Sequence, residues 1–280
     1  MVAPRLLTPR QLIIKSGTYI VIESIAGATL TCGSQSYTLG SGETIHAFEV
    51  TAGTYTCTAN KTDYYEASAS VTITSGFEYV TLKPTNIPAS YQEVEYLYSD
   101  GNQYIVTPVT TASNQVIRVK FLISSDSKSN RVFSSVDGST QLIPQTKTNT
   151  SNAYLAMNYA SGSSSSLATA PRIAENVVYD FTLHTNTTVT INGVDYANQG
   201  NYGGASGNSP IWLFKKNTDT TARMTGNIYL FTITQGGSRI IDLIPCYRKS
   251  DSVAGMYDKV TDAFLTNSGS GNFIAGADVI

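Results

Sequence analysis

The chain has 280 residues, with 18 Lys+Arg against 20 Asp+Glu, and only 14% of it is charged although 41% is hydrophobic. The charge missing relative to an average of about 25% is replaced by 31 Ser and 36 Thr, a β-protein composition that excludes collagen and disorder. A formal net charge of −2, with no basic cluster denser than Lys215-Lys216 or Arg248-Lys249, argues against nucleic acid as a partner.

The length suits two β domains, each able to bury a core of its own. The longest apolar runs, such as Ile228-Tyr229-Leu230-Phe231, are strand-sized and far short of the ~20 residues a membrane helix requires, so no membrane insertion is expected. The opening segment contains Pro4 and Pro9 and lacks the long apolar stretch and small-residue cleavage site of a signal peptide, so export by an ordinary secretion signal is not expected. Residues 1–10 have no partner strand of their own. With Arg5, Leu6, Leu7 and Arg10 they read as an extended arm that attaches to another protein.

Residues 11–83 alternate in short segments at the spacing of a β-sandwich: Gln11–Lys15, Thr18–Ser24, Ala28–Cys32, Ser36–Leu39, Thr44–Val50, Thr54–Ala59, Ala67–Thr74 and Glu78–Lys83. Glycines punctuate them where tight hairpins need positive φ. The run from Thr51 to Ala59, followed by Tyr64-Tyr65, Ser70–Ile73 and Tyr79–Leu82, resembles the bacterial immunoglobulin-like or PEGA-type module, which implies an immunoglobulin-like sandwich here. Pro84 and Pro88 then interrupt the alternation, since neither can donate to a sheet ladder, and residues 84–90 read as a linker.

From residue 91 onward strands resume at wider spacing: Gln115–Ile123, Arg131–Val136, Tyr154–Tyr159, Val177–Thr185, Thr188–Ile191, Ile211–Lys215, Gly226–Thr234 and Ile240–Tyr247. This pattern suits a two-sheet jelly roll. Asn192-Gly193 and Gly236-Gly237 are hairpin turns by chemistry. Two bracketing segments, Tyr91–Leu97 with Gly101–Ile105, and Ile244–Ser250 with Gly255–Asp258 and Phe264–Asn267, resemble the opening and closing strands of laminin-G-like, concanavalin A-like domains of bacteriophage and gut-bacterial surface proteins. The resemblance covers 91–280 and implies a jelly-roll domain and a phage origin.

The same fold hosts glycoside hydrolases, which flank the scissile bond with two carboxylates. Glu93 and Glu95 are the one close glutamate pair. The resemblance places them on the domain's first strand, where they read as a solvated edge face. His46 and His184 read as surface or satisfied strand residues rather than parts of a Ser-His-Asp site. Asp137-Gly138 and Asn217-Thr218-Asp219 are turn chemistry and match no calcium-ligand pattern, so neither metal nor cofactor is expected. Cys32, Cys57 and Cys246, odd in number and without C-x-x-C spacing, read as buried small hydrophobes, with a Cys32–Cys57 bridge as the alternative. Ser161–Ser166 reads as a polar tip that only links strands.

Glycan recognition needs aromatic faces with amides beside them. The segment Asn198–Asn208 supplies Asn198, Asn201, Tyr202 and Asn208 among glycines, with Trp212 just beyond. The expectation is a non-enzymatic virion surface protein in many copies, assembled in the bacterial host cytoplasm. It would be attached to other capsid or tail proteins through its N-terminal region and would present a lectin-like domain to host glycans. The alternatives are a purely structural decoration or tail-assembly protein, and a glycoside hydrolase. An acidic pair facing a common cleft would favour the hydrolase, and a shallow aromatic site would favour adhesion.

Overall fold

The computed structural model describes residues 17–112, 114–124, 131–135, 141–144, 155–158, 165–166, 173–184, 188–197, 210–215 and 223–279. The chain divides into two compact units, Met1–Ala89 and Ser90–Ile280. It is all-β, with no helix among the described residues. The arm residues Arg5, Leu6, Leu7 and Arg10, and the first expected strand Gln11–Lys15, lie outside the described residues.

The first unit contains β1 (Tyr19–Glu23), β2 (Thr29–Cys32), β3 (Gln35–Thr38), β4 (Ile45–Glu49), β5 (Gly53–Asn60), β6 (Ala67–Ile73) and β7 (Phe77–Thr81). They form two sheets, ordered β4-β1-β7 and β3-β2-β5-β6, with β1 antiparallel to β4 and parallel to β7. Ile20, Ile22 and Phe48 from one sheet and Leu30, Cys32, Cys57 and Ile73 from the other fill a shared core, the arrangement of an immunoglobulin-like sandwich. Each large side chain fully buried there contributes roughly 1.5–3 kcal/mol. The stretch expected to be a free linker is partly held by this unit. The backbone of Thr85 pairs with that of Tyr65 in both directions, at 2.8 and 3.2 Å, because Pro84 removes one donor without removing those of its neighbour.

The second unit opens with β8 (Tyr91–Glu93), β9 (Leu97–Asp100), β10 (Ile105–Thr110), β11 (Gln115–Ile123), β12 (Phe133–Ser135), β13 (Gln141–Pro144), β14 (Leu155–Asn158) and β15 (Ser165–Ser166). It continues with β16 (Val178–Leu183), β17 (Thr188–Ile191), β18 (Val194–Ala197), β19 (Pro210–Leu213), β20 (Thr225–Gln235), β21 (Ser238–Arg248), β22 (Ala254–Asp258), β23 (Ala263–Thr266) and β24 (Ile274–Ala275). The smaller sheet runs β10-β19-β12-β13-β14-β15. The larger runs β18-β17-β16-β11-β20-β21-β22-β23, with β8, β9 and β24 attached beside it.

Strict alternation along β11 buries Ile117, Val119, Phe121 and Ile123 and turns Arg118 and Lys120 to the opposite face. Ile105, Phe133, Ile211 and Leu213 of the smaller sheet join them in one core, where Phe133 meets Phe231 edge-on at 5.8 Å. Two packed sheets of this kind are consistent with the expected jelly roll. Both hairpin expectations hold in detail. Asn192 and Gly193 sit at φ 50 and 80°, and Gly236 and Gly237 at 58 and 85°, the two positive values of a type I′ turn. Ser165-Ser166 departs from expectation: instead of only linking strands, the pair adds to β14, where Ala156 faces Ser166. A sheet edge offers unpaired donors and acceptors to any backbone, polar sequence included.

The opening and closing segments pair with each other. β8 lies antiparallel to β21, β24 to β9, and β21, β22 and β23 follow in order. Close backbone approach fixes glycine at one point of the larger sheet. A Cβ on Gly226 would fall 2.1 Å from the carbonyl oxygen of Leu122, so β11 and β20 approach only because glycine stands there.

Candidate functional site

On the outer face of the smaller sheet, register sets the site. Trp212 in β19 stands opposite Val106 of β10 on one side and Ser134 of β12 on the other. Its neighbours Ile211 and Leu213 are buried in the core, so alternation sends the indole to the other face. Tyr104, immediately before β10, stacks on it with ring centroids 4.8 Å apart and planes within 5°. Lys215 brings its ammonium 4.3 Å from the Tyr104 ring centre and 5.6 Å from that of Trp212, while Ser134 Oγ donates to the Lys215 carbonyl at 2.8 Å. The indole Nε1 is buried and has no hydrogen-bond partner among the described residues.

The closing segment holds Tyr104 in place. Asn267 Oδ1 accepts the backbone N–H of Tyr104 at 3.0 Å and that of Gly269 at 2.7 Å, while its amide donates to the Gly271 carbonyl at 2.8 Å. Ser268 N–H donates to the Tyr104 carbonyl at 2.8 Å. Behind this, Arg223 donates to Asn102 Oδ1 at 2.7 Å. The result is a paired aromatic surface with a cation beside it, fixed by backbone hydrogen bonds. Of the residues expected to bind a glycan, Trp212 is placed here, whereas Asn198, Asn201, Tyr202 and Asn208 lie outside the described residues. Tyr104, Lys215 and Asn267 were not expected in a site, although Tyr104 and Asn267 both belong to the bracketing motifs.

A second feature lies on the outer face of the larger sheet. A cleft of about 320 Å³ is lined by Glu93, Glu95, Arg118, Tyr229, Arg239 and Asp242, among others. Tyr229 reaches it because the β11–β20 register shifts there: Lys120 faces Leu230 while Phe121 faces Ile228, leaving Tyr229 as the extra residue of a bulge. Arg118 donates twice to Asp180, at 2.9 and 2.6 Å, and that bonding holds the Asp180 carboxyl below its ordinary range. Arg239 is bonded to Asp242 at 2.9 Å.

Glu95 is exposed and Glu93 half-buried. The expected edge position is corrected, because β8 is flanked on both sides. It pairs with β21 on one side, and on the other Val279 N–H donates to the Glu93 carbonyl and Glu95 N–H to that of Ala277, each at 2.9 Å. Residues 277–279, returning alongside the first strand of the same unit, are what cover the edge.

The remaining candidates are occupied elsewhere. His46 stacks on Tyr37 with centroids 3.7 Å apart, and burial pushes its pKa down against the opposing pull of Glu43. His184 Nε2 is 2.8 Å from Thr190 Oγ1, which donates to Asp195 at 2.6 Å. All three cysteines are free and buried. Among the described residues no group of three or more His, Cys, Asp or Glu could hold a metal ion, and Asp137-Gly138 and Asn217–Asp219 fall outside them.

No family model and no curated protein matches the chain. Among solved structures it is similar to a "putative carbohydrate binding protein" from Bacteroides ovatus ATCC 8483, at 13% identity over 96% of this chain and 91% of that one, with a TM-score of 0.46.

Proposed function

We propose that this chain is a non-enzymatic glycan-binding protein of a phage particle surface, and that the Tyr104–Trp212 surface with Lys215 is its binding platform. One observation carries the reading: two half-buried aromatic rings stacked 4.8 Å apart on the sheet face opposite Ile211 and Leu213, with the Tyr104 backbone fixed by Asn267. Aromatic faces bind the apolar face of a pyranose ring, and a neighbouring ammonium donates to its hydroxyl or carboxylate oxygens. Binding of this kind is weak per site and gains from many copies on one particle through avidity. The phage assignment rests on the bracketing segments Tyr91–Ile105 and Ile244–Asn267, which resemble those of phage surface domains. In this reading residues 1–10 attach the chain to other virion proteins.

The platform is testable directly because Trp212 is the chain's single tryptophan. Titration of host-surface glycans should change its fluorescence, and array binding should be lost with Tyr104→Ala. Unchanged array binding by that variant removes the platform. Absence of the chain from a reconstruction of the intact particle removes the virion assignment.

A hydrolase reading is favoured by the acidic residues around the larger-sheet cleft. Against it, Glu93 and Glu95 leave one short stretch of chain two residues apart and so stand on one wall, whereas hydrolysis needs carboxylates on either side of the bond. Asp242 is already committed to Arg239. Release of reducing ends by the wild type, abolished in Glu93→Gln, would establish hydrolysis.

A further inference from the structure

We propose that Cys32 and Cys57 are a modification site, closing to a cross-strand disulfide when the chain meets a peroxide oxidant outside a reducing compartment. The inference is independent of the glycan platform. The two residues face each other directly in the β2–β5 register, and their sulfurs are 3.5 Å apart. Their kind of pairing matters. Gly33 N–H donates to the Thr56 carbonyl at 3.2 Å, one residue beyond Cys32 and one before Cys57, which makes Cys32:Cys57 a non-hydrogen-bonded pair. Such pairs bring Cα atoms to about 4.5 Å with side chains close together, inside the roughly 4.4–6.8 Å range of disulfides.

The strands cannot slide away from this register. Thr31 and Thr58, the adjacent pair on the opposite face, join hydroxyls at 2.8 Å, and β2 turns at once into β3 through Gly33, whose φ of 59° fits the first position of a tight hairpin. Bond formation therefore needs side-chain rotation and no rearrangement of the sheet. Both thiols are buried, at 1% and 0% exposure. Burial raises both pKa values, Cys57 to about 12, which keeps the pair reduced and slow to react where oxidant is scarce. Cys246 is buried in the other unit and has no thiol partner among the described residues.

The chemistry balances with hydrogen peroxide as co-reactant. One thiolate attacks a peroxide oxygen, breaking the O–O bond to give a sulfenic acid and hydroxide, which takes up the thiol proton as water. The second thiol attacks the sulfenyl sulfur, the S–S bond forms, the S–O bond breaks, and the hydroxyl leaves with the second proton as water. Two thiols lose two electrons to one peroxide, giving one disulfide and two waters.

The test uses the full chain, reduced or exposed to hydrogen peroxide, then denatured and alkylated. Alkylatable cysteines should fall from three to one, Cys246 should stay alkylated, and peptide mapping should show Cys32 linked to Cys57. Cys246→Ala should still lose both remaining thiols, while Cys32→Ala should keep both of its own. Oxidation should also raise the thermal midpoint of the first unit by about 10 °C, reversibly with dithiothreitol. Three alkylatable thiols after prolonged exposure, a linkage through Cys246, or sulfinic acid at either position without a link would each overturn the proposal.

Discussion

Tyr104 and Trp212 lie far apart in sequence yet stack with their planes within 5°, and the contact is built by strand register: Val106, two residues after the tyrosine, faces Trp212 across the β10–β19 pair. Aromatic pairs of this geometry contribute about 0.5–1.5 kcal/mol beyond area burial. Tyr104→Ala should therefore destabilise the second unit by about 1–2 kcal/mol and red-shift Trp212 emission, with at least a tenfold loss of glycan affinity. Tyr104→Phe should retain both fluorescence and affinity. Emission that stays at the wild-type wavelength in Tyr104→Ala would mean that the rings do not stack in solution.

Asn267 is expected to matter more for position than for contact. Its Oδ1 accepts two backbone N–H groups, so Asn267→Ala leaves the donor of Tyr104 without its partner, at a cost of about 1–3 kcal/mol. Asn267→Asp keeps both acceptor bonds and loses only the donor to Gly271, and should cost less. Chemical denaturation of the two variants orders them. Equal losses would show that the amide donor, and not the fixed Tyr104 backbone, carries the effect.

Much of the fold could be read from period two. The alternation of 115–123, the Asn192-Gly193 and Gly236-Gly237 turns, and nearly every strand between Thr18 and Lys83 are written in local residues. The site was not, for a physical reason. Trp212 drew attention by its type, but its partner depends on which strand pairs with β19, and no local pattern encodes that pairing. Lys215 was visible only as half of a basic pair. Glu93 lost its edge because residues 277–279 return beside it, a contact between the two ends of one unit.

His46 gives the first unit a pH dependence with a defined sign. Burial holds its folded pKa below the ordinary value of about 6.5, so between the two values the unfolded state binds more protons than the folded one. Stability should be complete above about pH 6.5 and decline as pH falls through the folded value. Urea midpoints measured at pH 7.5 and 5.0 should differ in the wild type and differ less in His46→Phe, which keeps a ring against Tyr37. A variant with the same pH slope as the wild type would assign the slope to other groups.

Lys215 should decide which glycans bind. Its ammonium lies over the Tyr104 ring at 4.3 Å, a half-buried contact of about 1 kcal/mol, and it forms no salt bridge among the described residues. A carboxylate-bearing sugar stacked on the platform would therefore meet a positive charge that no carboxylate among the described residues pairs with, while a neutral sugar would gain only a hydrogen bond. Lys215→Gln keeps a donor and removes the charge. It should weaken acidic glycans about five- to tenfold, in line with roughly 1–1.4 kcal/mol for one charge-assisted bond, and leave neutral glycans within a factor of two. Raising the salt concentration should erase the wild type's preference over the variant, because the pair is close to solvent and screened. Equal weakening of acidic and neutral glycans would show that Lys215 acts by supporting Tyr104, and the preference for acidic sugars would then fall.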